Sequence, residues 1–563
     1  MSETGVAAPT PSDAAADNTL ALNPVVGFGM DDIVKAGMTV VRQGLLQPAI
    51  GLEHATRLWQ ESVRILFGTS DVAPDPKDAR FRDAAFREDT VFKRIAQNWV
   101  VTQRAVHAWV DAVGFDAIDR DRAHFVLDLV TDALAPTNFL FANPSALQRA
   151  RETRGESLIK GARNFAHDLI HNGGMPSQVD KTPFKVGGNL ANTPGKVVFR
   201  NAIIELIQYQ SATPRVETRP VFIVPPQINK FYVYDLAPEK SLVKYLVDAG
   251  FQVFVVSWRN PTAEHRNWGL ADYIDSVEAG IDATREITGQ RSVAGVGACA
   301  GGITFAAALG YLAAQGRADK VASLTLMVNV LDSHKHDSAT GLFMTDEAIE
   351  AARKRSARQG VLDGNDTARV FNWMRPNDLI WNYVVSNYLH GETPPAFDIL
   401  YWNNDTTRLP ARLHSDFLDI FKDNPFRRAG ALRIRNVPID LKSVTCPVFI
   451  TGGTTDHITP WQACYRSTQL FGGNTTFVLS TAGHIQSLIN PPGSSKRRHF
   501  RNPETPPDGE TWRRAAAEYE GSWWPYWTDW LKAHGVGENA APVLWGSTAH
   551  PPLCDAPGTY VFE

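Results

Sequence analysis

Cysteine is scarce: Cys299, Cys446, Cys464 and Cys554 are the four in a chain of 563 residues. That excludes a disulfide scaffold, and no two of them fall at a CxxC metal-ligand spacing. Excess positive charge is missing as well. Against 60 Asp and Glu stand 56 Lys and Arg, a formal net charge of −4, so no whole-chain basic field exists for nucleic acid. No apolar run approaches the roughly 18 residues that a membrane helix needs. Residues 1–20 hold Glu3, Asp13 and Asp17 but no Lys or Arg, and so lack the basic start and apolar core of a secretory signal. These absences lead us to expect a reduced, cytoplasmic protein with no metal, no transmembrane segment and no nucleic-acid partner. Apolar residues at 44% and charged residues at 21% are ordinary for a folded protein, and the 15 tryptophans are the unusual abundance.

The chain divides by pattern. Residues 1–20, rich in Ala, Pro, Ser and Asp, read as a disordered tail. Residues 21–190 read as a helical N-terminal domain. Asp31–Gln47 and Leu52–Phe67 flank Pro48, and Phe92, Ile95, Trp99, Thr102, Val106, Trp109 and Val113 recur at steps of three and four. After the breaker run from His171 to Ser177 the period changes. Strands at Val197–Arg200, Ile204–Gln210, Val221–Val224, Val253–Trp258, Ser292–Gly297 and Leu324–Val330 are interleaved with helices at Glu239–Ala249 and Tyr273–Ile287. That alternation predicts a parallel sheet covered on both faces. It stops over about 332–440, a charged and aromatic block with helical patches at Asp346–Arg358 and Leu379–Leu389, and resumes at Pro447–Thr451, Trp461–Phe471 and Thr476–Leu479. Residues 191–563 thus read as a catalytic domain with a cap inserted at about 332–440.

Gly297-Ala298-Cys299-Ala300-Gly301 follows a predicted strand and opens a predicted helix. This is the nucleophile elbow of the α/β-hydrolase fold with Cys in place of Ser. The composition would produce a G-x-C-x-G by chance only roughly 0.02 times in this chain, and few of those at a strand-to-helix turn. The helix N-terminus favours a thiolate and offers free N–H groups to an oxyanion. In this fold an acid and then a His follow the nucleophile in chain order. Asp456 ends one later strand and His484 lies beyond the next. His457, beside Asp456, is the rival base, and orienting the loop is the better reading for it. The loop from Pro225 to Lys230, after the third strand, would supply one oxyanion N–H at Ile228, and Ala300 the other. The basic run Lys496, Arg497, Arg498 and Arg501 reads as a solvated face more readily than as a phosphate site.

Beyond single residues, whole blocks resemble the poly(3-hydroxyalkanoate) synthases. They are HNGGMPSQV from His171, PPQINKFYV from Pro225, VSWRNP from Val256, GACAGG from Gly297, WMRPNDLIWNY from Trp373, FDILYWNNDTTRLP from Phe397, DHITPW from Asp456, GHIQSLINPPG from Gly483 and APGTYV from Ala556. The wording is most similar to the medium-chain-length, single-polypeptide type. Ala300 departs from it, since Ser or Val often follows the nucleophile there, and only that residue's main-chain N–H is needed. The resemblance implies polymerisation of (R)-3-hydroxyacyl-CoA through a Cys299 thioester, with release of CoA. It implies no cofactor, a polyester granule surface as partner and a homodimer. His484 would serve as base, and Asp456 would either orient it or act more directly on the 3-hydroxyl. Two other classes remain at this point: a cysteine-nucleophile hydrolase (lactone hydrolase or polyester depolymerase), and a granule-coating scaffold whose Trp512, Trp523, Trp524, Trp527 and Trp530 form a greasy surface. A final amphipathic helix packed on the sheet is the better reading of those tryptophans.

Overall fold

The computed structural model describes residues 19–20, 28–337, 339–364, 373, 376–493 and 497–563. The tail expected at 1–20 lies outside them apart from Thr19 and Leu20. The chain forms two compact units, one mainly of Gly27–Thr182 with Arg369–Phe397, the other of Pro183–Ala368 with Asp398–Glu563. Of the block at 332–440, Arg369–Phe397 groups with the first unit and the remainder with the second.

The first unit is helical: α1 (Met30–Leu46), α2 (Pro48–Leu66), α3 (Thr90–Ala112), α4 (Ala117–Ala133), α5 (Pro144–Glu152) and α6 (Glu156–His171). Short polar side chains start these helices. Asp89 accepts from the Val91 and Phe92 N–H groups, Asp116 from Asp119, and Asn143 from Ala146. Helix α2 begins at Pro48 rather than at Leu52, because proline has no N–H to leave unpaired in a first turn. The stripe on α3 packs inside this unit: Phe92 and Trp99 lie against Phe81, Phe86 and Ala96, and Trp109 against Val110, Val113, Phe115 and Ala123. Not all apolar surface is covered. Leu52, Trp59 and Leu66 on α2 are 69%, 70% and 61% exposed.

The second unit is built on an 11-stranded sheet. Its strands are β1 (Gly195–Arg200), β2 (Ile204–Tyr209), β3 (Val221–Val224), β4 (Val253–Trp258), β5 (Val293–Ala298), β6 (Val321–Met327), β7 (Val448–Gly453), β8 (Thr475–Ser480), β9 (Arg498–Arg501), β10 (Ala517–Glu520) and β11 (Cys554–Asp555). Their spatial order is β10-β9-β8-β7-β6-β5-β3-β4-β2-β1-β11. The run β8-β7-β6-β5-β3-β4 is parallel, and antiparallel strands extend it on both sides. Strands β3, β4, β5 and β7 are buried at every position, as a sheet covered on both faces requires. Helices α7 (Leu242–Asp248), α8 (Leu270–Thr288), α9 (Cys299–Ala314), α10 (Asp346–Gln359), α11 (Ala411–Asp423), α12 (Trp461–Arg466), α13 (His484–Leu488) and α14 (Trp524–Ala533) complete the main elements.

Several boundaries differ from expectation for local reasons. Helix α7 starts at Leu242, not Glu239, because Ser241 caps it by accepting from the Lys244 N–H. Strand β6 stops at Met327 because Val328 turns left-handed, with φ +43°. The helical patch at Leu379–Leu389 is wound as two π-helical stretches, Asn377–Trp381 and Val384–Leu389. Trp512, Trp523, Trp524 and Trp527 are wholly buried, so they form core rather than a greasy surface. No helix among the described residues is long and apolar enough to cross a membrane.

Candidate active site

The elbow is built by close backbone packing. Strand β5 ends at Ala298 and α9 begins at Cys299, whose φ is +47°. A non-glycine residue there costs about 1–3 kcal/mol, which its surroundings must offset. The flanking glycines let that happen. A Cβ on Gly301 would lie 2.3 Å from the Pro225 carbonyl oxygen, and one on Gly297 would lie 2.8 Å from the Gly302 Cα. Cys299 is half-buried, with its side chain at the first turn of α9, where main-chain N–H groups have no helical partner.

The acid and the histidine arrive on neighbouring loops. After β7 the acid loop is stitched to the next one by Thr454 N–H to Ser480 O at 2.8 Å and Thr455 N–H to Ala482 O at 3.2 Å. His484 opens α13, and its Nδ1 lies 2.8 Å from Asp456 Oδ2. The other carboxylate oxygen, Oδ1, accepts from the Ile458 and Thr459 N–H groups at 2.9 Å each. Thr459 Oγ1 donates to Asp456 Oδ2 at 2.6 Å and lies 3.0 Å from His484 Nδ1. The Cys299 sulfur is near enough to His484 to act on its basicity. Nδ1 is turned to Asp456, and the ring feels both the carboxylate and the Cys299 sulfur. Burial alone would lower the basicity of this imidazole, but the Asp456 carboxylate and the Cys299 sulfur outweigh it and push His484 up to about 10. Burial likewise works to raise Asp456, yet His484 and the Thr459 donors hold its carboxyl below the usual range.

The loop after β3 is pinned at several points. Trp258 Nε1 donates to Pro225 O at 2.8 Å, Thr407 Oγ1 to Gln227 O at 2.5 Å, and Trp402 Nε1 to Lys230 O at 2.7 Å. Gln227 Nε2 reaches Thr304 Oγ1 on α9 at 2.8 Å, so the loop that carries Ile228 is tied to the helix that carries Ala300. Asn229 forms a bridge with Thr406, and the buried Lys230 ammonium donates to Glu563 O at 2.9 Å; both shape the loop.

Other candidates are placed elsewhere or differently. His457 is half-buried beside Asp456, but His484 is the histidine that meets the carboxylate. Burial raises the other three thiols: Cys446 is pushed up to about 12, Cys464 well above its ordinary value, and Cys554 more modestly. In the basic run, Lys496 lies outside the described residues. Arg498 pairs with Glu518 at 3.2 Å, and Arg501 lies over the Tyr519 and Tyr526 rings at 3.9 and 4.0 Å. No group of three or more His, Cys, Asp or Glu stands ready to hold a metal ion among the described residues.

Sequence reasoning missed several supports. Thr459 had a signal, a hydroxyl three residues after the acid. Trp523 and Trp524 had none: their indole N–H groups donate to the Ser487 and Leu488 carbonyls at 3.0 and 3.2 Å and so hold the short helix that His484 opens. Tyr234 is wholly buried, its hydroxyl has no hydrogen-bond partner among the described residues, and burial together with nearby Cys299 raises it.

Similarity to known proteins follows this geometry. Residues 77–246 match the family described as poly-beta-hydroxybutyrate polymerase (PhaC) N-terminus, and residues 220–491 match the alpha/beta hydrolase fold. The chain is 47% identical to poly(3-hydroxyalkanoate) polymerase 1 of Ectopseudomonas oleovorans, over 98% of each chain. It is 46% identical to polymerase 2 of the same organism, over 96% of each. To the poly(3-hydroxyalkanoate) polymerase subunit PhaC of Cupriavidus necator it is 38% identical, over 95% of this chain and 90% of that one.

Proposed function

Because this chain belongs to the poly(3-hydroxyalkanoate) polymerase family, we propose that it joins (R)-3-hydroxyacyl groups from CoA thioesters into polyester through a thioester on Cys299. The observation that carries the reading is the 2.8 Å hydrogen bond between Asp456 and His484, with His484 raised by the Cys299 sulfur at a left-handed elbow. The enzyme is an acyltransferase, and the chemistry explains the choice of sulfur. Moving the acyl group from CoA to Cys299 exchanges one thioester for another, nearly without change in free energy. The group stays activated for attack by a hydroxyl, which then forms the more stable oxoester.

The raised basicity of His484 sets the order of proton transfers. His484 takes the Cys299 proton as the sulfur becomes the nucleophile. The sulfur attacks the substrate carbonyl, and the developing oxyanion is received by the Ala300 and Ile228 N–H groups. As the intermediate collapses, His484 gives its proton to the departing CoA sulfur. Acylation ends the interaction of the free Cys299 sulfur with the ring, one of the influences that raise His484. Neutral His484 can then take the proton of a 3-hydroxyl as that oxygen attacks the acyl-Cys299 thioester. Expulsion of the Cys299 sulfur restores the starting pair. Asp456 stays ionised throughout and holds the ring in one orientation. Attachment to the product surface is the part we assign to the helical unit, supported by the exposed Leu52, Trp59 and Leu66.

The test is incubation of the protein with an (R)-3-hydroxyacyl-CoA, following CoA release, polymer and the mass of the peptide that contains Cys299. An acyl adduct on that peptide together with polymer is expected. CoA release with free hydroxy acid and no polymer would favour a hydrolase instead.

A further inference from the structure

Cys299 and Ala300 share one peptide group. Its oxygen belongs to Cys299 and its N–H to Ala300. Because the group is planar and trans, a contact that holds the oxygen also aims the N–H in the opposite direction. That oxygen accepts a hydrogen bond of 2.7 Å from Asn329 Nδ2. Asn329 is wholly buried and stands just beyond the end of β6. It follows Val328, whose left-handed backbone (φ +43°) is secured by its N–H to Thr451 O at 2.9 Å. The Asn329 side chain packs directly against Gly302, where a Cβ would come 2.7 Å from Nδ2 and 2.8 Å from Cγ. The first turn of α9 is therefore held between two surfaces: the Pro225 carbonyl against Gly301 and the Asn329 amide against Gly302.

Packing alone does not account for an asparagine at this place. Its Oδ1 finds no hydrogen-bond partner among the described residues, although the side chain is fully buried. An unpartnered buried acceptor is destabilising, and leucine would fill nearly the same space without that cost. What leucine could not do is donate to the Cys299 carbonyl. A peptide whose oxygen accepts a hydrogen bond becomes a better donor at its N–H, since successive bonds polarise one another.

We propose that Asn329 is a positioning residue for the oxyanion site, aiming and polarising the Ala300 N–H through the Cys299–Ala300 peptide. The inference rests on the reading of Cys299 as the acylated nucleophile. It predicts a residue that matters for acyl transfer and little for the reactivity of the sulfur itself.

Two reactions of Cys299 separate these roles. Loading from an (R)-3-hydroxyacyl-CoA passes through an oxyanion; alkylation by iodoacetamide displaces iodide at a saturated carbon and forms none. Both rates are measured on the full-length protein, as wild type, Asn329→Leu and Asn329→Ser, with thermal unfolding as the check on folding. Removing an oxyanion donor outright costs about 10²–10³ in rate, so leaving the Ala300 N–H present but unaimed should cost on the order of tenfold in loading by Asn329→Leu. KM for the acyl-CoA and the alkylation rate should each stay within about twofold. Asn329→Ser, whose hydroxyl is too short to span the gap, should also load slowly and alkylate normally. If Asn329→Leu does not fold, Asn329→Ser decides by the same pair of rates. Unchanged loading in a folded variant overturns the proposal, as does a parallel fall in both reactions, which would make Asn329 a support of the sulfur or of the fold. A wild-type protein that alkylates but never forms acyl-Cys299 would instead defeat the catalytic reading itself.

Discussion

The two units of the chain use their side chains in opposite ways. In the sheet unit, the acid and the loops around the site are held by buried, matched polar groups: Asp456 receives two main-chain N–H groups, a hydroxyl and an imidazole, and the loop carrying Ile228 is tied down by Trp258, Thr407 and Trp402. In the helical unit, apolar groups are left in the open. Most of the large apolar side chains exposed among the described residues fall there, from Met38 through Trp59 and Phe141 to Ile170. Matched polar groups position atoms to tenths of an ångström, which acyl transfer needs. Exposed apolar side chains position nothing, but they adhere to any greasy surface, and a growing polyester has no fixed shape to recognise. The contrast fits the proposed division between a unit that does the chemistry and one that attaches to the product.

The largest effect expected on this division is at Cys299. Cys299→Ala should lower polymer formation on the order of a thousandfold or more, with unfolding behaviour close to wild type. Alanine at Cys446, Cys464 or Cys554 should leave rates within about threefold, because burial disfavours the thiolate at each of them. Polymer from Cys299→Ala at near wild-type rate would remove the sheet unit's claim to the chemistry.

Next in size is the Asp456–His484 pair. His484→Gln should slow acyl loading by about 10²–10⁴, and Asp456→Asn by less, since the Thr459 hydroxyl and the loop still constrain the ring. A folded imidazole raised from 6.5 to about 10 adds stability that is fully present below pH 6.5 and is lost as pH climbs through about 10. The urea midpoint of wild type should therefore exceed that of His484→Gln by most just below pH 6.5, by less as pH rises, and by least in strong alkali. A gap that widens with rising pH would contradict the pairing.

A smaller effect tests whether the matching extends past the residues that react. Trp523→Phe removes the donor to the Ser487 carbonyl, a group buried in the helix that begins at His484. Stability should fall by about 1–3 kcal/mol in urea titration. Loading should slow by only about threefold, because the Trp524 indole still holds the next carbonyl. Loss of stability with no change in loading would confine the positioning role to Asp456 and Thr459.

Legibility in the sequence follows the same line between local and distant causes. The elbow was readable because G-x-C-x-G needs only its own neighbours and a strand-to-helix change of period. Asp456 and His484 followed from chain order in a parallel sheet, and the structure brings them within 2.8 Å. Asn329 was not readable, because its contact to Cys299 joins two strands 30 residues apart and depends on the turn at Val328. Strand β9 and the edge strands β10 and β11 were missed because pairing at the margins of a sheet adds little apolar periodicity; β10 is exposed at all four positions. Trp524, Trp527 and Trp530 share the final helix as expected, but Trp512 lies on a separate helix, Gly509–Ala515, with strand β10 between the two. The use of Trp523 and Trp524 as donors to the carbonyls behind His484 leaves no mark in spacing.

The smallest effect on chemistry is expected where the other unit is altered, and this variant tests the contrast most directly. Leu52, Trp59 and Leu66 are separated by seven residues each, two helical turns, so they share one face of α2. Replacing all three with serine removes apolar surface that touches water already, so stability should stay within about 0.5 kcal/mol per site and acyl loading within about twofold. Co-sedimentation with polyester granules should fall by at least about tenfold, since each such side chain buried in an apolar surface is worth about 1.5–3 kcal/mol. Two outcomes would break the comparison. Slow loading in the triple variant would mean that the helical unit takes part in the reaction after all. Undiminished sedimentation would move adhesion elsewhere, with the exposed Val543 and Leu544 of the sheet unit as the next residues to change, and the assignment of one task to each unit would fail with it.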